Sequence, residues 1–186
     1  MRALGLSPDG RLVAAGGGEG ALHLIDRASG AVRVLPGHES SMASLRFAPD
    51  GRTLATGAQD GEVRLWNVAT GASRRLLGHE RNVGALAFSP DSRLLATVST
   101  DRTARVWDVA SGRSRLLLGH EDRVETVAFS PDGATLATGS HDGTVRVWRA
   151  DPEAGVPADP AELRAWVEAA TTATVASDGA VVTPER

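Results

Sequence analysis

The residues with the clearest chemical potential are three sets of histidine, threonine and aspartate that recur at a fixed spacing. Each set opens at a Gly-His-Glu segment, and its threonine and aspartate follow the histidine by 18 and 22 residues. A histidine held by an aspartate beside a hydroxyl is the arrangement of a general base and a nucleophile. Three copies in one chain are unusual for an enzyme, however, so the repetition favours a structural role and predicts no catalytic residue.

Two further patterns resemble a cofactor site and a metal site, but the sequence around each argues against such a site. Residues 16–20, Gly-Gly-Gly-Glu-Gly, look like a nucleotide-binding loop, but such a loop must open a helix. Here the repeat assigns the glycines to a hairpin between strands. The histidines of the Gly-His-Glu segments occur once per repeat, and carboxylate clusters with ligand spacing are absent. We therefore expect no cofactor and no metal.

Composition excludes several other classes of chemistry. The chain has 186 residues, 41% of them hydrophobic, and no cysteine, which excludes disulfides and zinc-thiolate sites. All 20 basic residues are arginine, so Schiff-base and P-loop lysine chemistry is absent. No signal sequence or long apolar run is present, which predicts a cytoplasmic, bacterial protein that does not bind membranes.

A row of arginines raises the question of nucleic-acid binding. Arg64, Arg105 and Arg146 occupy one equivalent position, but the net charge is -3 and no overall basic field supports such binding. We expect these side chains to lie on a solvated strand face.

The elements that carry these residues are tandem repeats of 41 residues. Trp66, Trp107 and Trp148 stand one period apart, and a Pro-Asp turn recurs in the same register at Pro8, Pro49, Pro90 and Pro131. Within each period, four short apolar runs are separated by turn signals, including an Asp-Gly hairpin signal. Four strands in a period of this length predict the blades of a β-propeller.

The recurring signals together resemble the WD-repeat (WD40) β-propeller family. The resemblance covers residues 1–149 and rests on Gly-His, the Pro-Asp turn, Leu-Ala-Thr, Asp and Val-Arg-Val-Trp, all in phase. It implies an all-β, partial or open propeller of about four four-stranded blades at residues 1–36, 37–77, 78–118 and 119–149, the first and last incomplete.

The resemblance also implies a hydrogen-bonded tetrad within each blade. The first set would be His38, Thr56, Asp60 and Trp66; the second His79, Thr97, Asp101 and Trp107; the third His120, Thr138, Asp142 and Trp148. The first repeat has Ala15, Glu19 and Ile25 at the matching positions, so we expect its blade to be the loosest.

Positions that differ between repeats are the candidates for partner binding. The resemblance places them on the top surface, where family members dock peptides. They are Ser41, Gln59, Asn82, Thr100, Arg123, Glu125 and His141.

After the last tryptophan the repeat stops. Residues 150–158 are predicted to form a linker, and residues 159–186 a C-terminal α-helix and a possible short hairpin. Asp159, Pro160 and Glu162 form a helix-start signal, and the apolar residues that follow have helical spacing. The tail is similar to those of bacterial WD-repeat signalling proteins. We find no fourth strand for the last blade in the sequence that follows Trp148.

Two functions remain open at this point. The first is a non-catalytic protein–protein interaction scaffold in bacterial signalling. The second is the regulatory or sensor portion of a larger signalling enzyme, such as a serine/threonine kinase or NTPase. Four blades also leave ring closure open, between a longer propeller, self-association of copies, and a tail helix that covers the last blade.

Overall fold

A computed structural model describes residues 3–150, 171–175 and 181–182 as a series of antiparallel β-sheets. The sheets have the strand orders β1-β2-β3-β4, β5-β6-β7-β8, β9-β10-β11-β12 and β13-β14-β15-β16-β17. We call them blades 1 to 4. Because each strand pairs with the one before it, every blade is a meander, and the open propeller expected from the sequence is confirmed. In this part of the chain we find no helix that would traverse a lipid bilayer.

The strand boundaries repeat from blade to blade. Blade 1 contains β1 (Ala3–Leu6), β2 (Leu12–Gly16), β3 (Leu22–Asp26) and β4 (Val32–Leu35). Blade 2 contains β5 (Met42–Phe47), β6 (Thr53–Ala58), β7 (Val63–Asn67) and β8 (Ser73–Leu76). Blade 3 contains β9 (Val83–Phe88), β10 (Leu94–Ser99), β11 (Ala104–Asp108) and β12 (Ser114–Leu117). Blade 4 contains β13 (Val124–Phe129), β14 (Thr135–Ser140), β15 (Val145–Arg149), β16 (Thr171–Val175) and β17 (Val181–Val182).

The turns between the first two strands of each blade explain where those strands end. In blades 1, 2 and 4 the Pro-Asp pair is followed by a glycine with φ between 70° and 73°, a left-handed conformation that favours glycine. Blade 3 has Ser92 there, with φ 64°. In three of the blades a serine before the turn also bonds the turn aspartate and accepts the first amide of the next strand, as Ser89 does with Asp91 and Leu94.

The core lies between blades rather than within them. Three apolar clusters fill the successive junctions, and in each the tryptophan and first strand of one blade pack on the sheet of the blade before it. We call the side of a blade that faces its predecessor the leading face and the opposite side the trailing face. At the first junction, Met42, Leu45 and Trp66 on the leading face of blade 2 contact Leu22 and Leu24 on the trailing face of blade 1.

The terminal blades correct part of the sequence prediction. Blade 1 contains all four strands, although we expected it to be clipped. Blade 4 gains a fourth strand from residues 171–175, which pair with β15, where the sequence showed none. β16 also pairs antiparallel with β17, with Thr174 opposite Val182, in the region where the sequence suggested a possible short hairpin. The predicted linker and most of the predicted helix lie outside the described residues, and residues 171 and 172, at the helix end, are strand.

Candidate functional site

Blades 3 and 4 each contain a chain of buried hydrogen bonds that runs from the tryptophan to the aspartate. In blade 3 the indole N–H of Trp107 donates to Thr97 Oγ1 over 2.8 Å, and that hydroxyl lies 2.8 Å from His79 Nε2. His79 Nδ1 lies 2.9 Å from Asp101 Oδ2. Since a carboxylate only accepts, Nδ1 carries the proton and Nε2 accepts from threonine.

Blade 4 repeats the same geometry. The distances are 2.9 Å from Trp148 Nε1 to Thr138 Oγ1, 2.8 Å from that hydroxyl to His120 Nε2, and 2.9 Å from His120 Nδ1 to Asp142 Oδ2. The histidine of each set is buried, and both of its ring nitrogens have protein partners.

A second threonine, which the sequence reasoning missed, anchors the aspartate. Thr103 donates its hydroxyl to Asp101 Oδ1 over 2.6 Å and its backbone N–H to the same oxygen over 2.9 Å. Thr144 makes both bonds to Asp142. The sequence does contain a signal for this role, because Thr103 and Thr144 lie one 41-residue period apart.

Blade 2 departs from this arrangement at the aspartate. His38 Nε2 lies 2.7 Å from Thr56 Oγ1, which accepts from Trp66 Nε1 over 2.9 Å. His38 Nδ1 is buried and makes no hydrogen bond, so Asp60 does not take the expected place. The residue at the position of the anchoring threonine is Glu62.

Glu62 explains why Asp60 stays outside. Its buried carboxylate pairs with Arg64 and with Arg75, the latter over 2.8 Å, and lies 3.9 Å from His38 Nδ1. Asp60 has no threonine hydroxyl to hold it inward, and a second carboxylate beside Glu62 would be repelled. Asp60 therefore lies exposed, with Oδ1 accepting only the backbone N–H of Glu62 among the described contacts.

These environments shift the pKa values of the network residues. Burial lowers the pKa of His38 to about 4, against the opposing effect of Glu62. Burial likewise lowers the pKa of His120, although Asp142 opposes it. The pKa values of Asp101 and Asp142 fall well below the usual range, because hydrogen bonds from histidine, threonine and backbone groups outweigh the effect of burial. In blade 4 the network thus holds neutral His120 beside ionised Asp142.

Blade 1 lacks the network altogether. Ala15 and Ile25 stand where other blades have threonine and tryptophan, and both line a cavity of about 650 Å³ that is open to solvent. Glu19 and His23 also line this cavity. The glycines at residues 16–18 and 20 connect β2 to β3 as a hairpin, which is the interpretation that argued against a nucleotide loop.

The arginines that we expected on a solvated face are instead half-buried. The guanidinium groups of Arg64 and Arg105 lie 5.9 and 5.7 Å from the ring centroids of Trp66 and Trp107. Arg105 also donates to the carbonyl of Gly78 over 3.0 Å. Because they stack on the network tryptophans, these side chains belong to the framework.

Another row of arginines, missed in the sequence, joins neighbouring blades. Arg33 on β4 donates to the carbonyls of Val68 and Ala69 in the next blade, over 2.7 and 3.0 Å. Arg74 on β8 bonds Val109 and Ala110 in the same way, and Arg115 on β12 reaches the carbonyl of Arg149. We call these three residues the arginine clamps; their 41-residue spacing was visible in the sequence.

The candidate partner-binding residues lie together on one rim of the blades. In blades 2, 3 and 4, the backbone carbonyl of the residue just before the first strand accepts a 3.0 Å hydrogen bond from the backbone N–H of the residue that follows the second strand. The pairs are Ser41 with Gln59, Asn82 with Thr100, and Arg123 with His141. Because β5 packs against β9 and β9 against β13, the pairs follow one another along what we call the upper rim.

In blade 4 the upper rim carries an exposed charged cluster. Arg123 Nε lies 3.2 Å from Glu125 Oε1, and Arg123 Nη2 lies 3.3 Å from His141 Nδ1. His141 Nε2 lies 3.7 Å from the same glutamate oxygen. All three side chains remain open to solvent while they hold one another in place.

No group of three or more histidines and acidic residues positioned to hold a metal occurs within the described ranges. The buried histidines belong to the framework, whereas the charged cluster on the upper rim is exposed and has a defined geometry.

Comparison with known proteins agrees with this architecture. The family model described as "WD domain, G-beta repeat" matches residues 30–67, 71–108 and 112–149, which together make up more than half of the chain. A search of curated proteins found no match. On the strength of these three matched repeats and the four meander blades that contain them, the chain belongs to the WD40 repeat family.

Proposed function

We propose that this chain is a non-catalytic scaffold that binds other proteins along its upper rim, with the charged cluster of blade 4 as the main contact. WD40 repeats generally mediate protein–protein interaction. The observation that carries the proposal is the contrast on this rim between a fixed backbone and variable side chains.

The backbone of the rim is the same in each repeat. The 3.0 Å hydrogen bond between the two rim positions recurs in blades 2, 3 and 4. The side chains at these positions are Ser and Gln in blade 2, Asn and Thr in blade 3, and Arg and His in blade 4. A rigid frame with different chemistry in each blade is suited to recognising one partner over another.

The charged cluster is suited to an initial, specific contact. Mutual contacts among Arg123, Glu125 and His141 restrict their rotamers before any partner arrives, which lowers the entropic cost of binding. Arginine is also enriched among the residues that dominate interface energies. We therefore expect partners that present a carboxylate or carbonyl to Arg123 and a donor to Glu125.

The geometry of the histidines supports a role without catalysis. His79 and His120 use both ring nitrogens in the buried network, and His38 is buried beneath the blade surface. A general base needs an open position for the proton it accepts, and none of these three imidazoles faces one.

The test is selection of peptides from a displayed random library on the immobilised chain, followed by affinity measurement with synthetic peptides. We expect Arg123→Ala, Glu125→Ala and His141→Ala to weaken binding at least about tenfold, equivalent to about 1.4 kcal/mol. The matched control is Arg149→Ala, an exposed arginine at the opposite end of blade 4. Selected peptides that bind the three rim variants as well as the unaltered chain would contradict the proposal, as would a selection that yields no rim-dependent binder.

A further inference from the structure

The two outer faces of the blade array resemble the two sides of the junctions between neighbouring blades, of which the described chain has three. In each internal junction, apolar residues on the leading face of one blade pack into the trailing face of the blade before it. Blade 1 has a leading face and blade 4 a trailing face with no described blade against them.

The leading face of blade 1 has the apolar pattern of a buried junction but is exposed. Leu4 and Leu6 on β1 occupy the positions of Leu45 and Phe47 on β5. Leu4 is 62% exposed, whereas Leu45 is 6% exposed because blade 1 covers it. Ile25 stands at the position of the network tryptophan, so this face has no indole N–H or threonine hydroxyl that would need a polar partner.

The trailing face of blade 4 has the complementary pattern. Val145 on β15 occupies the position of Val63, and it is 38% exposed whereas Val63 is fully buried. Gly139 on β14 matches Gly57, over which the side chain of Val83 sits at the second internal junction. A cavity of about 330 Å³ lies over Gly139, Val145 and Thr126, and Glu125 and His141 of the charged cluster also line it. At the second internal junction, Val83 of blade 3 occupies the equivalent place over Gly57 of blade 2.

A polar contact at the second internal junction also has its equivalent on this face. Ser44 donates its hydroxyl to the carbonyl of Val83 over 2.7 Å, across the junction between blades 2 and 3. Thr126 stands at the Ser44 position in blade 4, and it is exposed. It supplies the same donor for a chain segment that packs there.

We propose that the leading face of blade 1 in one copy of this chain packs on the trailing face of blade 4 in a second copy. We choose a second copy as the partner because its blade 1 presents apolar residues at the positions that pack on the trailing face at each internal junction. The contact is heterologous, since two different surfaces meet, and it forms twice when two copies close on each other.

This junction is weaker than the internal ones because it lacks an arginine clamp. The clamp residues lie opposite Leu24, Leu65 and Val106 in the sheet register, and the residue opposite Val147 in β16 is Ala173. We therefore expect association that depends on concentration in the micromolar range rather than a permanent dimer.

The experiment is sedimentation velocity on the full chain from about 1 μM to about 100 μM, with the 19.3 kDa monomer as reference. The variants are Leu6→Asp on the leading face and Val145→Arg on the trailing face. Each puts a charge into an apolar contact and should weaken self-association at least about 100-fold. Leu118→Asp is the matched control, because Leu118 is exposed and lies on neither face.

Mixing the two variants distinguishes a heterologous contact from other modes of association. When either variant is alone, every contact between two copies includes one altered face. In the mixture, one contact can form between two unaltered faces, the trailing face of the Leu6→Asp chain and the leading face of the Val145→Arg chain. We expect two monomeric variants that associate when mixed. A chain that stays monomeric at all concentrations, or self-association that survives either variant, would overturn the proposal. Because this test uses no partner peptide, its result is independent of the upper-rim proposal.

Discussion

The aspartates of blades 2 and 3 provide a matched test of the buried network. Asp60 and Asp101 occupy equivalent positions one period apart. Asp101 accepts hydrogen bonds from His79, from the backbone of Glu80, and from both the backbone and hydroxyl of Thr103. The single described bond to the Asp60 side chain comes from the backbone of Glu62.

The expected costs of alanine substitution differ accordingly. Asp101→Ala removes four hydrogen bonds to a charged acceptor and leaves Thr103 Oγ1, 3.1 Å away, as the remaining described partner of the buried Nδ1–H of His79. We expect this change to lower the free energy of unfolding by about 3–4 kcal/mol. Asp60→Ala removes one exposed bond and should cost about 0.5–1 kcal/mol. Asp142→Ala should behave like Asp101→Ala, because Asp142 makes the same contacts in blade 4.

The measurement is urea unfolding followed by far-ultraviolet circular dichroism at neutral pH, with the three variants and the unaltered chain compared at equal m-values. Asparagine at the same positions serves as the control for side-chain volume. Equal losses for Asp60→Ala and Asp101→Ala would refute the conclusion that Glu62 has displaced Asp60 from the network.

Three other outcomes follow from the structure. The pKa of His38 is about 4 in the folded chain and near 6.5 in the unfolded chain. The fold therefore has its full stability from this group above pH 6.5, where His38 is neutral in both states, and loses that stability as the pH falls toward 4. We expect the free energy of unfolding in urea to fall by about 2 kcal/mol between pH 7 and pH 5 because of this group. A His38→Gln variant whose free energy of unfolding falls just as much over this pH range would contradict the prediction. Arg102 has φ 72° where three other blades have glycine, so Arg102→Gly should raise the free energy of unfolding by about 0.5–1 kcal/mol, with Arg102→Ala as a control that brings no such gain. Arg74→Ala removes an arginine clamp and should lower the free energy of unfolding by about 1–2 kcal/mol, whereas Arg113→Ala, at an exposed position in the same junction region, should change it by less than about 0.5 kcal/mol.

The sequence predicted the features that depend on local chemistry and repetition. Turn residues and alternating apolar runs fix the strands of blades 2 and 3, because short strands between tight turns leave little freedom of register. The roles of Thr97, His79 and Trp107 were implied by the resemblance to the WD-repeat family, and the 41-residue period identified the matching positions in each blade. Their geometry is determined by a backbone that every repeat shares.

Features that depend on one side chain or on distant pairing were not predictable in this way. Asp60 has the same local sequence signal as Asp142, followed by glycine, yet the residue two positions on decides whether it turns inward. The fourth strand of blade 4, β16, is separated from β15 by the 21 residues 150–170. Its short Thr-Thr-Ala-Thr-Val sequence resembles many segments that do not pair into sheets. The segment becomes a strand because it pairs with the edge of β15, which would otherwise have no partner strand.

Blade 1 shows what the buried network contributes to the fold. Its sheet has the same four-stranded order as the others, although Ala15 and Ile25 replace the threonine and the tryptophan, so those two residues are not what makes the sheet form. Between blades 1 and 2, the network residue His38 ties the connecting segment to both blades. His38 donates its backbone N–H to the carbonyl of Gly20 in blade 1 over 3.0 Å, while its ring bonds Thr56 in blade 2.

This double attachment explains why the upper rim can vary without loss of the fold. Because the connecting segment is fixed on both sides by the backbone and by one buried ring, the residues that follow it, such as Ser41, are free to differ between blades. Blade 1 has no preceding connection among the described residues, and the cavity beside Ala15 and Ile25 lies where such a segment would pack. Ala15 and Ile25 give this part of the cavity apolar side chains where the other blades have threonine and tryptophan, although Glu19 and His23 also line it. At Ala15 and Ile25, the position therefore suits a partner that brings an apolar side chain rather than a histidine, as the proposed contact between two copies does.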